Sequence, residues 1–460
     1  MCTHAREGCS GSAAGRGPPP RCRRTGSSHS QPLDLLCRTG ARRYAIEPAL
    51  STGPSDTATS QEKTVMNDEN ERASGPLSWE ATWAQALPDV CADGEWFADV
   101  TLRSHLRVGI GGKRVRLEFS NQFGDHPVRI GRSAVSAGGR TAVATFGGRD
   151  GVTIPAGASV STDPVEMPVG HHATVDVDFY LPERTLFPPL SAGVSDFTCQ
   201  MSEPGDHVGA AVFPAVAAPP FPMPDDADIS VHESGPFLRT VEVAGDVRHG
   251  VVVCVGDSIT AMGWPEVAAG LLPEGSGLSV VNRGIPGNRL RLDAGAANLS
   301  NGRSGLSRFK DDVLGTAGVA QVVIALGTND LGLPGEFEPI EELPTAAELI
   351  AGYENLLEQA GAAGIGARIA TITPRVGSDN HDDGREQIRS AVNDWIRSLG
   401  PDVAIDFDEA LRSAAAPLQL DQRYDSGDCL HPSGTGQDQL ARTVVAALLT
   451  GTSKQEPAAH

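Results

Sequence analysis

Val251-Val252-Val253-Cys254-Val255-Gly256-Asp257-Ser258-Ile259-Thr260 is the stretch from which the fold is read. Its first five residues are apolar and four of them are valine, the composition of a strand buried on both faces near the centre of a parallel sheet. The run stops at Gly256, and apolar residues at helical spacing resume near Trp264, so Ser258 falls on a strand-to-helix turn. That turn is the carboxyl edge of an α/β sheet, where such folds bind ligands. Backbone N–H groups there and at the following helix N-terminus favour negative charge. A serine in this place is a candidate nucleophile for acyl transfer, provided that a base and an oxyanion site follow in the chain. A Ser or Asp that only caps a helix is the plain alternative.

Downstream of His249 the pattern alternates between strand and helix. Further strands are expected at Leu278–Asn282, Gln321–Leu326, Ala367–Thr373 and Val403–Phe407. Helices are expected near Trp264–Leu272, Gly305–Leu314, Arg385–Ser398 and Gln437–Leu449. Thr345-Ala346-Ala347-Glu348 has the form of a capping box, and Leu349, Ile350, Tyr353, Leu356 and Leu357 follow on one helical face. Five strands alternating with helices predict an α/β fold, a doubly wound five-stranded parallel sheet with right-handed crossovers.

Upstream, from Trp79 to about Val243, the period is that of strands. Val115-Arg116-Leu117-Glu118-Phe119 and Val175-Asp176-Val177-Asp178-Phe179 alternate strictly, so each shows one apolar face. Gly111-Gly112, Gly138-Gly139, Gly147-Gly148 and Pro155-Ala156-Gly157 mark turns between such runs. Many short strands at this spacing predict an all-β sandwich preceding the α/β domain. Pro214 to Asp228, with five prolines, reads as an extended loop, and a last strand is expected around Phe237–Val243.

The first 65 residues differ from the rest, with nine Arg or Lys against five Asp or Glu, a Pro18-Pro19-Pro20 run, and Cys2, Cys9, Cys22 and Cys37. Leu33 to Cys37 is too short for the apolar core of a signal peptide. No C-x2-C pair supports a zinc site. The expectation is a disordered segment over Met1–Val65, with Met66 as a natural second start and a cytoplasmic protein as the consequence. The remaining cysteines, Cys91, Cys199, Cys254 and Cys429, are irregularly spaced and are expected to be reduced thiols. The net charge of -21 argues against nucleic acid or an anionic membrane as partner. No apolar run reaches the roughly 20 residues of a membrane span.

Three further segments follow strand ends on the same sheet edge as Ser258, or lie in a loop before the last helix. They are Asn282-Arg283-Gly284-Ile285-Pro286-Gly287-Asn288-Arg289, Gly327-Thr328-Asn329-Asp330 and Asp425-Ser426-Gly427-Asp428-Cys429-Leu430-His431-Pro432. Singly each reads as a turn, an N-cap cluster or a surface loop. Together they supply what Ser258 needs: His431 as base, Asp428 as the carboxylate that orients it, and an oxyanion hole from the Ser258 and Gly284 N–H groups and the Asn329 amide. Ser378-Asp379-Asn380-His381-Asp382-Asp383 is a polar surface loop that borders the cleft rather than a metal cluster, since no scaffolded His pair accompanies it. Arg289 and Arg291 read as a solvated face, with contact to an acidic substrate as the alternative.

The four segments in this order resemble the blocks of the GDSL or SGNH hydrolases. Gly256-Asp257-Ser258 looks like the first block, with Ile259 where the family usually has Leu. Gly284 matches the Gly of the second, Asn329 the Asn of the third, and Asp428-Cys429-Leu430-His431 the Asp-x-x-His of the last. The resemblance covers about His249 to Leu449. It implies a flavodoxin-like SGNH fold and ester hydrolysis without metal or other cofactor. Trp79–Val243, with Ser120-Asn121-Gln122-Phe123-Gly124, also resembles the β domain of a bacterial branch containing carbohydrate esterases.

The domain expectation is therefore a disordered extension over 1–78, a β-sandwich accessory domain over 79–245, the hydrolase catalytic domain over 246–452 and a disordered tail over 453–460. The expected function is hydrolysis of carboxylic esters through an acyl-enzyme, with short-chain (acetyl) esters of carbohydrates or small alcohols as substrates. A lipase or lysophospholipase would more readily show an amphipathic apolar lid. A carbohydrate-binding protein without activity would not need Ser258, Asp428 and His431 together. A nucleotide-binding protein would show a G-x-G-x-x-G or a P-loop. Substrate identity and oligomeric state are not legible.

Overall fold

The computed structural model describes residues 78–87, 96–187, 197–216, 235–273 and 275–451. The expected extension and tail, and the proline-rich loop beyond residue 216, concern residues outside these ranges. The described residues fall into one compact unit.

Glu80–Ala84 (β1), Gly112–Asn121 (β2) and Leu238–Ala244 (β3) belong to one antiparallel sheet, hydrogen-bonded in the order β1-β3-β2. Val165–Val169 continues that sheet beyond β2, and Ala158–Ser161 pairs the far end of β2. A second antiparallel sheet runs through Phe197–Met201, Val100–Arg107, Thr174–Leu181, Ser133–Ala137 and Arg140–Ala144. The inward residues of the two sheets form one core, with Phe119 of the first set edge-on against Phe179 of the second at 5.2 Å. The strict alternation in β2 is what allows this, because Val115, Leu117 and Phe119 all point inward.

From Gly250 the sheet is parallel. Gly250–Gly256 (β4), Leu278–Gly284 (β5), Val319–Ala325 (β6), Gly366–Ala370 (β7) and Ala404–Ile405 (β8) stand in the order β5-β4-β6-β7-β8. This is the flavodoxin-like order 2-1-3-4-5, in which the crevice lies at the carboxyl ends of the first and third strands. Val251 to Val255 have no exposed surface at all, which explains an apolar run without alternation. Burying each such side chain is worth roughly 1.5–3 kcal/mol. Ser258–Ala261 (α1) and Trp264–Leu271 (α2) follow β4, and Gly305–Phe309 (α3) runs into a π-helical turn at Lys310–Leu314. Thr328–Gly332 (α4), Ala346–Ala362 (α5), Asp383–Ser398 (α6), Phe407–Leu411 (α7) and Gly434–Gly451 (α8) complete the domain. At α5 both bonds of the capping box are made between Thr345 and Glu348.

Several expectations change, among them the strand read to Thr373, which ends at Ala370. The last strand ends at Ile405 instead of Phe407, because the Asp406 side chain accepts from Glu409 N and starts a helix there. Cys429 is disulfide-bonded, not a reduced thiol; spacing along a chain carries no information on which thiols meet in space. Cys254 is a buried thiol inside β4, and burial pushes it well above its ordinary value, so it is an inert piece of core.

β1 is shared between the two layers. Trp83 enters the core of the antiparallel sheets, whereas Ala81 and Ala84 enter that of the parallel sheet. Ser279 Oγ on the edge strand β5 donates to Ala81 O at 2.8 Å.

Candidate active site

Ser258 is the first residue of α1 and is half-buried. Asp257, the N-cap, accepts from Ile259 N at 2.9 Å. The turn is therefore held by the residue before the serine, and the Ser258 side chain is left for other work. Its N–H sits at a helical position whose N–H has no intrahelical acceptor.

His431 comes from the loop before α8. Its Nε2 lies 2.8 Å from Ser258 Oγ, and its Nδ1 lies 2.6 Å from Asp428 Oδ2. With Nδ1–H donating to the carboxylate, Nε2 is left to accept the serine hydroxyl. The other Asp428 oxygen, Oδ1, accepts from Leu430 N at 2.9 Å and His431 N at 2.8 Å. Partial burial pushes the Asp428 carboxyl up, but the hydrogen bond and charge of His431, with the two backbone N–H groups, hold it well below the usual carboxylate range. Asp425 anchors the same loop by accepting from Gly427 N and Cys429 N.

Asn329 lies on α4, and its Nδ2 donates to Asn288 O at 3.1 Å. The neighbouring Asp330 carboxylate is buried and accepts from Leu290 N at 2.7 Å and Arg291 N at 3.1 Å. The first turn of α4 thus clamps the loop that follows β5.

Gly284 does not have the place expected of it. It is the last residue of β5, buried, and its N–H already donates to Asn282 Oδ1 at 2.8 Å. A Cβ at Gly284 would lie 2.4 Å from Ala261 N, so this glycine lets α1 pack onto the strand. Three residues on, Gly287 lies in a tight turn, and its N–H is not used to close that turn. Ile285-Pro286-Gly287-Asn288 is a type II turn, closed by Asn288 N donating to Ile285 O at 3.0 Å, with Gly287 at φ +74. Pro286-Gly287 is a turn signal in the sequence, and it is the signal that could have found this position.

Arg289 pairs with Glu342 and Arg291 with Glu348, so both are tied to neighbouring elements. In the Ser378–Asp383 loop, Asp382 caps α6 through Arg385 N, and Asn380 Nδ2 donates to Gly332 O and Pro334 O. A cavity of about 450 Å³ among Trp83, Val108, Val267, Leu271 and Val280 reaches Asn282 on β5, but Ser258, Asn329, Asp428 and His431 do not line it. No helix among the described residues is long and apolar enough to cross a membrane.

Residues 254–439 match the GDSL-like Lipase/Acylhydrolase family, and the C-terminal half of the chain carries a domain of that family. No curated protein matches the chain. Similar solved structures include a GDSL-like lipase from Bacteroides thetaiotaomicron, 21% identical, covering 44% of this chain and 88% of that one at a TM-score of 0.33. A carbohydrate acetylesterase from Sinorhizobium meliloti is 16% identical over 44% of this chain and 99% of its own, with a TM-score of 0.34. An acetyl xylan esterase from Geobacillus stearothermophilus is 22% identical over 44% of this chain and 96% of its own, with a TM-score of 0.33.

Proposed function

With the C-terminal half an esterase-type hydrolase domain of the GDSL-like family, we propose that Ser258 is the nucleophile of a two-step ester hydrolysis. The observation that carries this reading is the unbroken chain from Ser258 Oγ through His431 to Asp428. His431 Nε2 takes the hydroxyl proton as Oγ attacks the ester carbonyl carbon. The carbonyl oxygen becomes an oxyanion that rests on the Ser258 N–H, the Gly287 N–H and Asn329 Nδ2. Collapse breaks the bond to the alcohol, which leaves with the proton from His431. Water then gives a proton to His431 and attacks the acyl-serine; collapse breaks the bond to Ser258 Oγ, which takes that proton back from His431 as the acid is freed.

The substrates proposed are short acyl esters of carbohydrates or other small hydroxylated alcohols. The polar Ser378–Asp383 segment supports this, because it adjoins the His431 loop: a Cβ at Gly377 would lie 3.0 Å from Cys429 Sγ. A hydroxyl-rich alcohol suits such a rim better than a long acyl chain does.

A fluorophosphonate tests the nucleophile without knowledge of the substrate. The expected result is one adduct per chain, located at Ser258 and lost in His431→Ala. A folded protein that takes up no label, or takes it up elsewhere, would overturn the reading.

A further inference from the structure

Arg308 on α3 is buried, and three of its four side-chain hydrogen bonds end on segments that flank Ser258 or Gly287. Nη2 donates to Gly256 O at 3.0 Å, the carbonyl just before Asp257 and Ser258. Nη1 donates to Arg283 O at 2.6 Å and Nε to Asn288 Oδ1 at 3.1 Å, the two ends of the segment that contains Gly287. The guanidinium is balanced by the buried Asp312 one turn on, whose Oδ2 lies 3.0 Å from Nη1.

Asp312 in turn is reached from the antiparallel sheets. Arg239 on β3, also buried, lies 3.3 Å from Asp312 Oδ1 through Nη2, which donates to Asp311 O at 2.6 Å as well. Its Nη1 donates to Glu118 Oε1 on β2 at 3.0 Å. Arg283 adds a third buried guanidinium, donating to Thr240 Oγ1 at 3.0 Å and to the Arg239 and Gln85 carbonyls. Gln122 Nε2, from the turn after β2, bonds Asp311 at 2.5 Å.

Taking three guanidinium groups out of water around one carboxylate is costly, and apolar packing of similar volume is often as stable. Stability alone is therefore a poor reason for the cluster, whereas fixed geometry at Gly256 and Asn288 is a good one. We propose that Arg308 is a positioning residue for the nucleophile turn and the oxyanion loop, and that the all-β region completes it by holding Asp312 through Arg239. The all-β region is then a working part of the active site, not an appended module. The inference rests on Ser258 being the nucleophile for its consequence in turnover, but the coupling itself is a property of the fold.

The test is Arg239→Gln in the full chain, more than one residue removed from any site group. Hydrogen exchange over residues 256–262 should accelerate about fivefold or more, with exchange in α5 unchanged. Turnover of p-nitrophenyl acetate per fluorophosphonate-titrated serine should fall about fivefold while KM stays within about twofold. Exchange over 256–262 equal to wild type overturns the proposal. Faster exchange in 256–262 and α5 alike assigns the cluster to global stability and overturns it too. If Arg239→Gln does not fold, Arg239→Lys replaces it with the same readouts, since a lysine keeps the charge but cannot serve Glu118 and Asp312 together. A wild type without Ser258-dependent turnover would unseat the esterase reading alone, because exchange does not use the reaction.

Discussion

Asp428 uses its two carboxylate oxygens differently: Oδ2 faces His431 Nδ1, and Oδ1 closes its own loop on two backbone N–H groups. Asp257, next to the nucleophile, shows the opposite electrostatics. Burial pushes its carboxyl from 3.8 up to about 7 against the lowering effects of the Ile259 N–H and His431, with Asp330 adding to the rise. Between those values the folded protein keeps a proton that the unfolded chain has released. The stabilisation is therefore full below about pH 4 and is lost as pH rises towards 7, on the order of a few kcal/mol in all. Urea unfolding of wild type and Asp257→Asn at about pH 5 and about pH 8 checks this. Wild type should lose stability relative to the variant at the higher pH, and parallel profiles would contradict the assignment.

Among the elements, α4 and the turn after β5 act as one unit. Asn329 and Asp330 at the start of α4 bind Asn288, Leu290 and Arg291, so the turn carrying Gly287 cannot move independently of the helix. Asn329→Ala removes one proposed oxyanion donor, and kcat should fall by about 10²–10³. Steady-state kinetics with p-nitrophenyl acetate measures it, and unchanged kcat would exclude Asn329 from the reaction. This unit also marks the limit of what the sequence says. The Ser258–His431–Asp428 contacts were legible as candidates, like Asn329, because each residue follows a strand end or precedes a helix in a recognisable order. The glycine proposed for the oxyanion hole was not, because two glycines stand three residues apart and periodicity does not fix where a buried strand stops. β5 continues two residues past Asn282, which carries Gly284 into the sheet and leaves Gly287 in the turn beyond it. Arg308 and Asp312 are readable as an i,i+4 pair, but nothing along the chain tells that they meet Arg239, 73 positions from Asp312.

At the scale of the molecule, both architectures followed from period alone: 2 upstream of Val243, and strand–helix alternation downstream of His249. What period could not reveal is β1. Glu80–Ala84 is buried throughout because it has a core on each side, so it lacks the alternation of a surface strand. The two layers are joined along β1 and through the Arg239–Asp312 contact. What both layers are proposed to serve is the hydrolysis of short esters at Ser258. Hydrolysis of p-nitrophenyl acetate and its longer-chain homologues by the full chain, beside Ser258→Ala, tests it most directly. Activity should be highest on the acetate, fall with chain length and be absent from the variant. Activity that survives in Ser258→Ala, or its absence from a folded wild type, would contradict it.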